Sequence, residues 1–419
     1  MLSGDLSFMF GSNKTVQIFD FSRNLFEFNL SDVVFPASLT SLDLNHNKIF
    51  GSLPVELTAL DFQYLNVSYN RLCGKIPTGG KLQSFDVTSA SSLLTLSLLL
   101  FLSLPSPCLS AERCNPHDKE VLLQIKQSFN NPYFLASWVP TFDCCDWYVV
   151  ECDSTTNRIN SLTLFGGVQG GGNLSGQIPA AVGDLPFLET LIFHKLSNLT
   201  GPIPPAIAKL SHLKTLWLSW TNLTGPVPSF LSQLKNLTFL DLSFNDLTGS
   251  IPMELSLLKN LAGIRLDRNK LTGPIPDWRF TGNAPDINLS HNKLTGQIPD
   301  SFGYYNYTRL DFSRNMLSGD LSFMFGSNKT VQIVDFSRNT FEFNMSNVVF
   351  PASLTSLDLN HNRIFGSLPV GLTALQFQFL NVSYNRLCGK IPMGGKLQSF
   401  DATSYFHNRC LCGAPLTAC

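Results

Sequence analysis

Leu213-Lys-Thr-Leu216-Trp-Leu218-Ser-Trp-Thr-Asn222-Leu223-Thr-Gly225-Pro-Val227-Pro228 is one turn of a coil that this chain repeats. Leu216 and Leu218 alternate with Thr215, Trp217 and Ser219, a period of two that predicts a short strand with one face buried. Asn222 stands where the chain turns, and inward Asn side chains can satisfy the backbone groups of a buried turn. Gly225 permits a tight bend, and Pro228 has no donor and stiffens the return. Phe230, Leu231 and Leu234 supply the outer wall as a short helix or 3₁₀ turn. The same block places Asn at 173, 198, 222, 245, 269, 292, 315, 339, 362 and 385, in steps of 23 to 25 residues. Units this small cannot bury their own apolar side and must stack, which makes a solenoid whose strands form one long concave surface.

Composition narrows the function. A net charge of −1 gives no global attraction for nucleic acid. A mean hydropathy of +0.09 is too low for a polytopic membrane protein. Cys114, Cys144, Cys145 and Cys152 precede the repeats, and Cys388, Cys410, Cys412 and Cys419 follow them. Neither cluster has paired C-x-x-C spacing, so capping disulfides in an oxidising compartment are favoured over zinc. Asn115-Pro116 is an N-cap and first-turn pair, and Val121, Leu122, Ile125 and Phe129 make one apolar helix face. Trp138 and Trp147 are expected to seal the open end of the first coil.

The first 111 residues stand apart. Residues 1–89 repeat residues 316–404 at a constant offset of 315, with 79 of 89 positions identical. Repeats that diverged within one solenoid do not match this closely, so the segment reads as the tail of a second, closely related copy joined upstream. Residues 90–111 follow, with the apolar run Leu93–Leu104 and small residues at Cys108, Ser110 and Ala111. That is the form of a signal peptide, and it is shorter than the roughly 20 residues of a membrane span. It is also the one stretch on which a membrane-associated description could rest. The expected organisation is a partial duplicate over 1–89, a signal-like segment over 90–111, an N-terminal cap over 112–157, the solenoid over 158–387 and a C-terminal cap over 388–419.

Further stretches carry a likeness: Cys114-Asn-Pro-His-Asp-Lys-Glu-Val-Leu-Leu-Gln-Ile-Lys126, Asp143-Cys-Cys-Asp-Trp147, Leu266-Asp-Arg-Asn-Lys-Leu271 and Tyr405-Phe-His-Asn-Arg-Cys-Leu-Cys-Gly-Ala-Pro415. With the Asn-Leu-Thr-Gly-x-Ile-Pro block, 112–419 resembles the polygalacturonase-inhibiting proteins, plant extracytoplasmic leucine-rich-repeat proteins. Tyr148-Val-Val-Glu-Cys152 and the glycine run 166–172 depart from that pattern. The resemblance implies an α/β, right-handed leucine-rich-repeat solenoid of about ten plant-type repeats with disulfide-bonded caps. It implies a secreted protein of the cell wall and apoplast, without a stable membrane anchor or a cofactor. Its partners would be endopolygalacturonases of fungi, and sometimes of insects. It further implies the pairs Cys114–Cys144, Cys145–Cys152, Cys388–Cys410 and Cys412–Cys419, among connectivities that spacing leaves open.

The recognition surface is expected on the concave strands. The residues chosen are Trp217, Ser219, Trp220, Asp241, Phe244, Arg265, Asp267, Asn288, His291 and Asp311. Aromatics there have no core to fill and suit interface anchors. An acidic row (Asp311, Asp335, Asp358) runs beside a basic row (Arg268, His291, Arg314, Arg338, His361), and each row is expected to compensate the other. Arg268, Arg314 and Arg338 are candidates for binding pectin. Glycan acceptors are sought at the off-ladder sequons Asn236, Asn288, Asn306 and Asn328, whereas Asn198 and Asn222 are expected to point inward. Three other readings stay open: a receptor-like ectodomain or co-receptor for a peptide, a pectin-binding wall protein, and a glycosidase using Asp311 and Asp335. The last conflicts with an open surface that cannot dry out a site.

Overall fold

In the computed structural model, residues 2–74, 76–80, 82, 113–166 and 174–419 are described. The signal-like segment 90–111, and the ladder position Asn173 with most of the glycine run, lie outside them. The chain divides into two compact units, one of Met1–Cys114 with Ser137–Tyr148, the other of Asn115–Ala136 with Val149–Cys419.

The larger unit carries an eleven-stranded sheet. Ten of its strands are parallel, from Ile159–Phe165 through Thr190–His194, Thr215–Ser219 and Phe239–Asp241 to Phe379–Asn381. Val150–Cys152 adds one antiparallel strand at the N-terminal edge. A second sheet of eight short parallel strands, from Gly176–Gln177 to Thr340–Phe341, is built by the Asn-Leu-Thr-Gly segments. Single 3₁₀ turns such as Ser229–Gln233 and Met253–Leu257 form the outer wall. Leu216, Leu218, Leu223, Leu231 and Leu234 have no solvent exposure, so one repeat contributes to a core that runs the length of the stack. Gly225 takes φ +83°, a left-handed conformation open to glycine at little cost.

The polar ladder begins later than the Asn spacing suggests. Asn245, Asn269, Asn292, Asn315, Asn339, Asn362 and Asn385 each donate Nδ2 to carbonyls of their own and the preceding turn. Their Oδ1 atoms accept a backbone N–H from the preceding repeat, as from Leu247 to Asn269 at 3.0 Å. Asn198 and Asn222, by contrast, are exposed, which corrects the expectation that they point inward. The inward position lies three residues after the second strand residue, and there it is filled by Leu196 (2 % exposed) and Thr221 (3 %). The Asn-Leu-Thr motif has slipped outward by two residues and by one. At the other end the ladder runs one rung further, because Asn408 of the cap donates to Val382 and Tyr405 and accepts from Leu387.

Both ends are closed. The helix Pro116–Ser128 is capped by Asn115 Oδ1, which accepts from the His117 and Asp118 amides. Val121, Leu122, Ile125 and Phe129 are buried as the apolar face. Asp118, 1 % exposed, accepts both Arg158 Nε (2.8 Å) and Arg158 Nη2 (2.7 Å) and the Ile159 amide. At the C-terminus, Cys388–Cys410 and Cys412–Cys419 are disulfides with Cα atoms 4.3 and 5.0 Å apart. Tyr405 is fully buried and its hydroxyl donates to the Leu397 carbonyl.

The smaller unit repeats the local structure of its twin. Its strands Ile18–Asp20, Ser41–Asp43 and Tyr64–Asn66 fall 315 residues before Ile333–Asp335, Ser356–Asp358 and Phe379–Asn381. Asn24, Asn47 and Asn70 form the same ladder. The unit also contains the disulfide Cys114–Cys144 and the buried pair Trp138 and Trp147, whose rings stack at 5.7 Å. Cys145 and Cys152 are each disulfide-bonded.

Candidate functional site: the open face of the long sheet

Each strand offers its alternate side chains to solvent, and the repeat stacks them in rows. The row between the two core residues of each strand holds Trp217, Asp241, Arg265, Asn288, Asp311, Asp335 and Asp358. The next outward row is mostly serine and lies flush with the sheet: Ser219, Ser243, Asp267, Ser290, Ser313 and Ser337 are all at most 5 % exposed. A third row borders it, running Lys195, Trp220, Phe244, Arg268, His291, Arg314, Arg338, His361, Tyr384 and His407. Every member of that third row has φ between +52° and +58°. Non-glycine residues adopt this region seldom, yet ten turns use it in succession to bend the chain out of the strand.

At the N-terminal end the face is aromatic. Phe165, His194 and Trp217 cluster, with ring centroids 4.8 Å (His194–Trp217), 5.9 Å (Phe165–His194) and 6.2 Å (Phe165–Trp217) apart. The Ser219 hydroxyl ties them, bonding to both Trp217 Nε1 and His194 Nδ1. In the third row Trp220 and Phe244 stack at 3.8 Å and 15°, and the Arg268 guanidinium lies 4.9 Å from the Phe244 ring centre. Trp220 remains 46 % exposed. Phe165 and His194 were not among the residues chosen from the sequence; they share the register of Ser219 on the two preceding strands.

The centre is charged. Asp241 and Asp267 are 1 % and 3 % exposed, and Arg265 lies 3.7 Å from the first and 3.5 Å from the second. Ser219, Asp241 and Asp267 are thus buried beneath the face, in contact with the more exposed Trp217 and Arg265. Burial pushes Asp267 up to about 6, against the pull of Arg265. Asn288 and Asp311 are half-buried, and each Oδ1 accepts the amide of the serine two residues on, at 3.0 and 3.1 Å. The Ser337 amide and Asn360 hold Asp335 and Asp358 in the same way.

That bonding adds to the expected compensation between acidic and basic rows, which acts through space: the Arg314 charge pulls Asp335 down and the Arg338 charge pulls Asp358 down. Among the described residues no ion pair within 4 Å joins Asp311, Asp335 or Asp358 to Arg268, Arg314 or Arg338. The direct hydrogen bonds to the carboxylates come from local serine and asparagine donors. Burial raises Asp335, with the Asp311 charge adding to it, and raises Asp358 to about 6. Arg268, Arg314 and Arg338 are left exposed. Burial holds His194, His291 and His361 below the usual imidazole range. His361, Tyr384 and His407 stack at 4.0 and 4.2 Å.

The sequon residues are divided between surfaces. Asn236, Asn306 and Asn328 are exposed away from this face, whereas Asn288 lies on it. A glycan at Asn288 would cover the central strands, so its roles as glycan acceptor and partner contact exclude each other.

Comparison with known proteins decides the family. The leucine rich repeat N-terminal domain matches residues 115–153, and the leucine rich repeat matches 38–60, 212–234, 236–258, 286–305 and 353–375. A polygalacturonase inhibitor of Pyrus communis is 68 % identical over 331 residues, covering 78 % of this chain and 98 % of the relative. One from Vitis vinifera is 67 % identical over 335 residues, covering 79 % and 99 %. The chain belongs to the polygalacturonase inhibitor family. Among solved structures, a plant ice-binding protein is 55 % identical with a TM-score of 0.71, covering 73 % of this chain and 98 % of its own. The ectodomain of the receptor kinase HAESA of Arabidopsis, in complex with a peptide hormone, is more distant, at 25 % identity and a TM-score of 0.51. In this polygalacturonase inhibitor family member the open face just described spans ten parallel strands, roughly 45 Å at about 4.8 Å per strand.

Proposed function

We propose that this chain is a secreted inhibitor of fungal endopolygalacturonases and grips the enzyme with the open face of its long sheet. The observation that carries the reading is the aromatic group Phe165, His194, Trp217, Trp220 and Phe244. It stands at one end of a face whose charged centre is half-buried. Anchors of this kind, bordered by polar groups, are where interface energy concentrates. Trp217, Trp220, Phe244, Arg265, Asn288, His291 and Asp311 make direct contact in this proposal, and Ser219, Asp241 and Asp267 hold Trp217 and Arg265 in position. Charge complementarity there sets partner choice and association rate. The face serves binding rather than catalysis. Asp311 and Asp335 are cross-strand neighbours on an open sheet, with no enclosed site around them.

The test is a panel of fungal and insect endopolygalacturonases assayed for reducing-end release with the purified secreted protein. Inhibition of at least one enzyme, weakened by Trp217→Ala, is the expected result. No inhibition and no binding across the panel would refute the activity.

A second reading rests on the exposed arginines of the third row, which form no ion pair within 4 Å among the described residues: Arg268, Arg314 and Arg338 bind the carboxylates of pectin. Salt-sensitive retention on demethylated pectin should disappear in Arg314→Ala plus Arg338→Ala. For residues 1–111 we propose a joined remnant of a tandem copy followed by a cleaved signal. Peptides upstream of Ser110 in the secreted protein would refute it.

A further inference from the structure

We propose that Asn306 is a glycan acceptor and that Tyr304 is the platform on which the first sugar packs. The sequon is Asn306-Tyr307-Thr308, in the loop between the 3₁₀ turn Asp300–Tyr304 and the strand Arg309–Asp311. Tyr304 is 82 % exposed. It is the most exposed of the large hydrophobic side chains among the described residues, so its ring face is open to a covering group. The intervening Tyr305 is extended, at φ −104° and ψ 161°. Across one extended residue, side chains i and i+2 project to the same side. The burial pattern agrees, with Tyr304, Asn306 and Thr308 exposed, Tyr305 half-buried and Tyr307 buried. Ring, acceptor amide and sequon hydroxyl thus share one outward side. An N-acetylglucosamine linked to Asn306 Nδ2 can lay its C–H face on the ring.

The same loop position in an earlier repeat gives the contrast. Asn236 also stands three residues before its strand and also begins a sequon. Its Nδ2 donates to the Ser211 carbonyl at 2.8 Å, and the non-sequon Asn260 brackets Lys235 in the same way. The residue two before Asn236 is Leu234, fully buried. Asn306 makes no side-chain hydrogen bond among the described residues, so its amide is free for the sugar. A glycan here stands on the loop that enters a strand, outside the rows of the open face.

The proposal rests on the chain entering the secretory pathway. The full 419-residue chain is expressed in plant cells, and the secreted protein is mapped by glycopeptide mass spectrometry. Asn306 is expected to be occupied in most molecules and more fully than Asn236. Asn306→Gln should lower Tm by about 2 °C. The same change should lower it by nothing measurable in a Tyr304→Ser background, and trimming the glycan to its first sugar should preserve the wild-type value. Secreted protein with Asn306 bare, or an equal Tm loss in both backgrounds, overturns the pairing and leaves secretion intact. A chain retained in the cell without glycans overturns both.

Discussion

Asn269→Ala measures what one rung of the ladder is worth. Asn269 Nδ2 donates to the Leu242, Leu266 and Asp267 carbonyls at 2.9, 3.1 and 3.3 Å, and its Oδ1 accepts the Leu247 amide at 3.0 Å. Leu242 keeps a second donor, Asn245 Nδ2, so its carbonyl is not stranded. The Leu247 amide is stranded, within a fully buried residue. An orphaned buried donor costs about 1–3 kcal/mol, and the lost net bonds add about 1, for a total of about 2–4 kcal/mol. Asn222→Ala is the control, because its only side-chain bond among the described residues, to the Ser197 carbonyl, is exposed and water replaces it. That change should cost less than about 0.5 kcal/mol. Urea unfolding of the two variants at one pH gives the comparison through Cm at unchanged m. Hydrogen exchange should place the Asn269→Ala loss in the neighbouring turns, since each repeat contacts only its neighbours. Equal shifts in Cm for the two variants would refute the claim that phase, rather than the presence of an asparagine, makes a rung.

Other expectations follow from the same geometry. Trp217→Ala should weaken inhibition of any sensitive polygalacturonase by about 30-fold, read as an inhibition constant, while Tm stays within a few degrees. Arg158→Ala leaves the Asp118 side chain buried without its guanidinium partner, and should cost about 3–5 kcal/mol in urea unfolding. Asp358 titrates near 6 in the folded chain and lower when unfolded, so its contribution is favourable in acid and is lost as pH rises through about 6. Asp358→Asn should therefore raise stability by about 1–2 kcal/mol at pH 7.5 and by nothing at pH 4, which thermal unfolding at the two pH values will check.

The solenoid was legible because its signal is periodic: a leucine every few residues at a fixed phase can be read without knowing any contact. The cap helix was legible for the same reason, with Asn115 before Pro116 and four apolar residues on one side. The ladder was misread at Asn198 and Asn222, where the eye follows the Asn-Leu-Thr motif and the fold follows the distance from the strand. Leu196 and Thr221 occupy the inward position there, and neither looks like a rung. On the face, row arithmetic put Trp217 and Arg265 beside Asp241 and Asp267. It could not show that the serine row sinks between its neighbours and takes Asp241 and Asp267 down with it. Nor could it show that the acidic row bonds to the serine or asparagine two residues on, a relation within one repeat that cross-strand stacking hides.

The left-handed backbone of the third row limits which side chains can be tried there. A β-branched residue at φ near +55° meets its own backbone, so valine, isoleucine and threonine are disfavoured at ten neighbouring positions. Lysine, arginine, histidine, phenylalanine, tyrosine and tryptophan all stand in that row. They share an unbranched Cβ and otherwise differ in charge, size and aromaticity. The backbone geometry is fixed by the repeat, while the group it displays is nearly free. Single substitutions in this row can therefore exchange one contact chemistry for another at small cost to folding, which lets a lineage track a changing partner one position at a time.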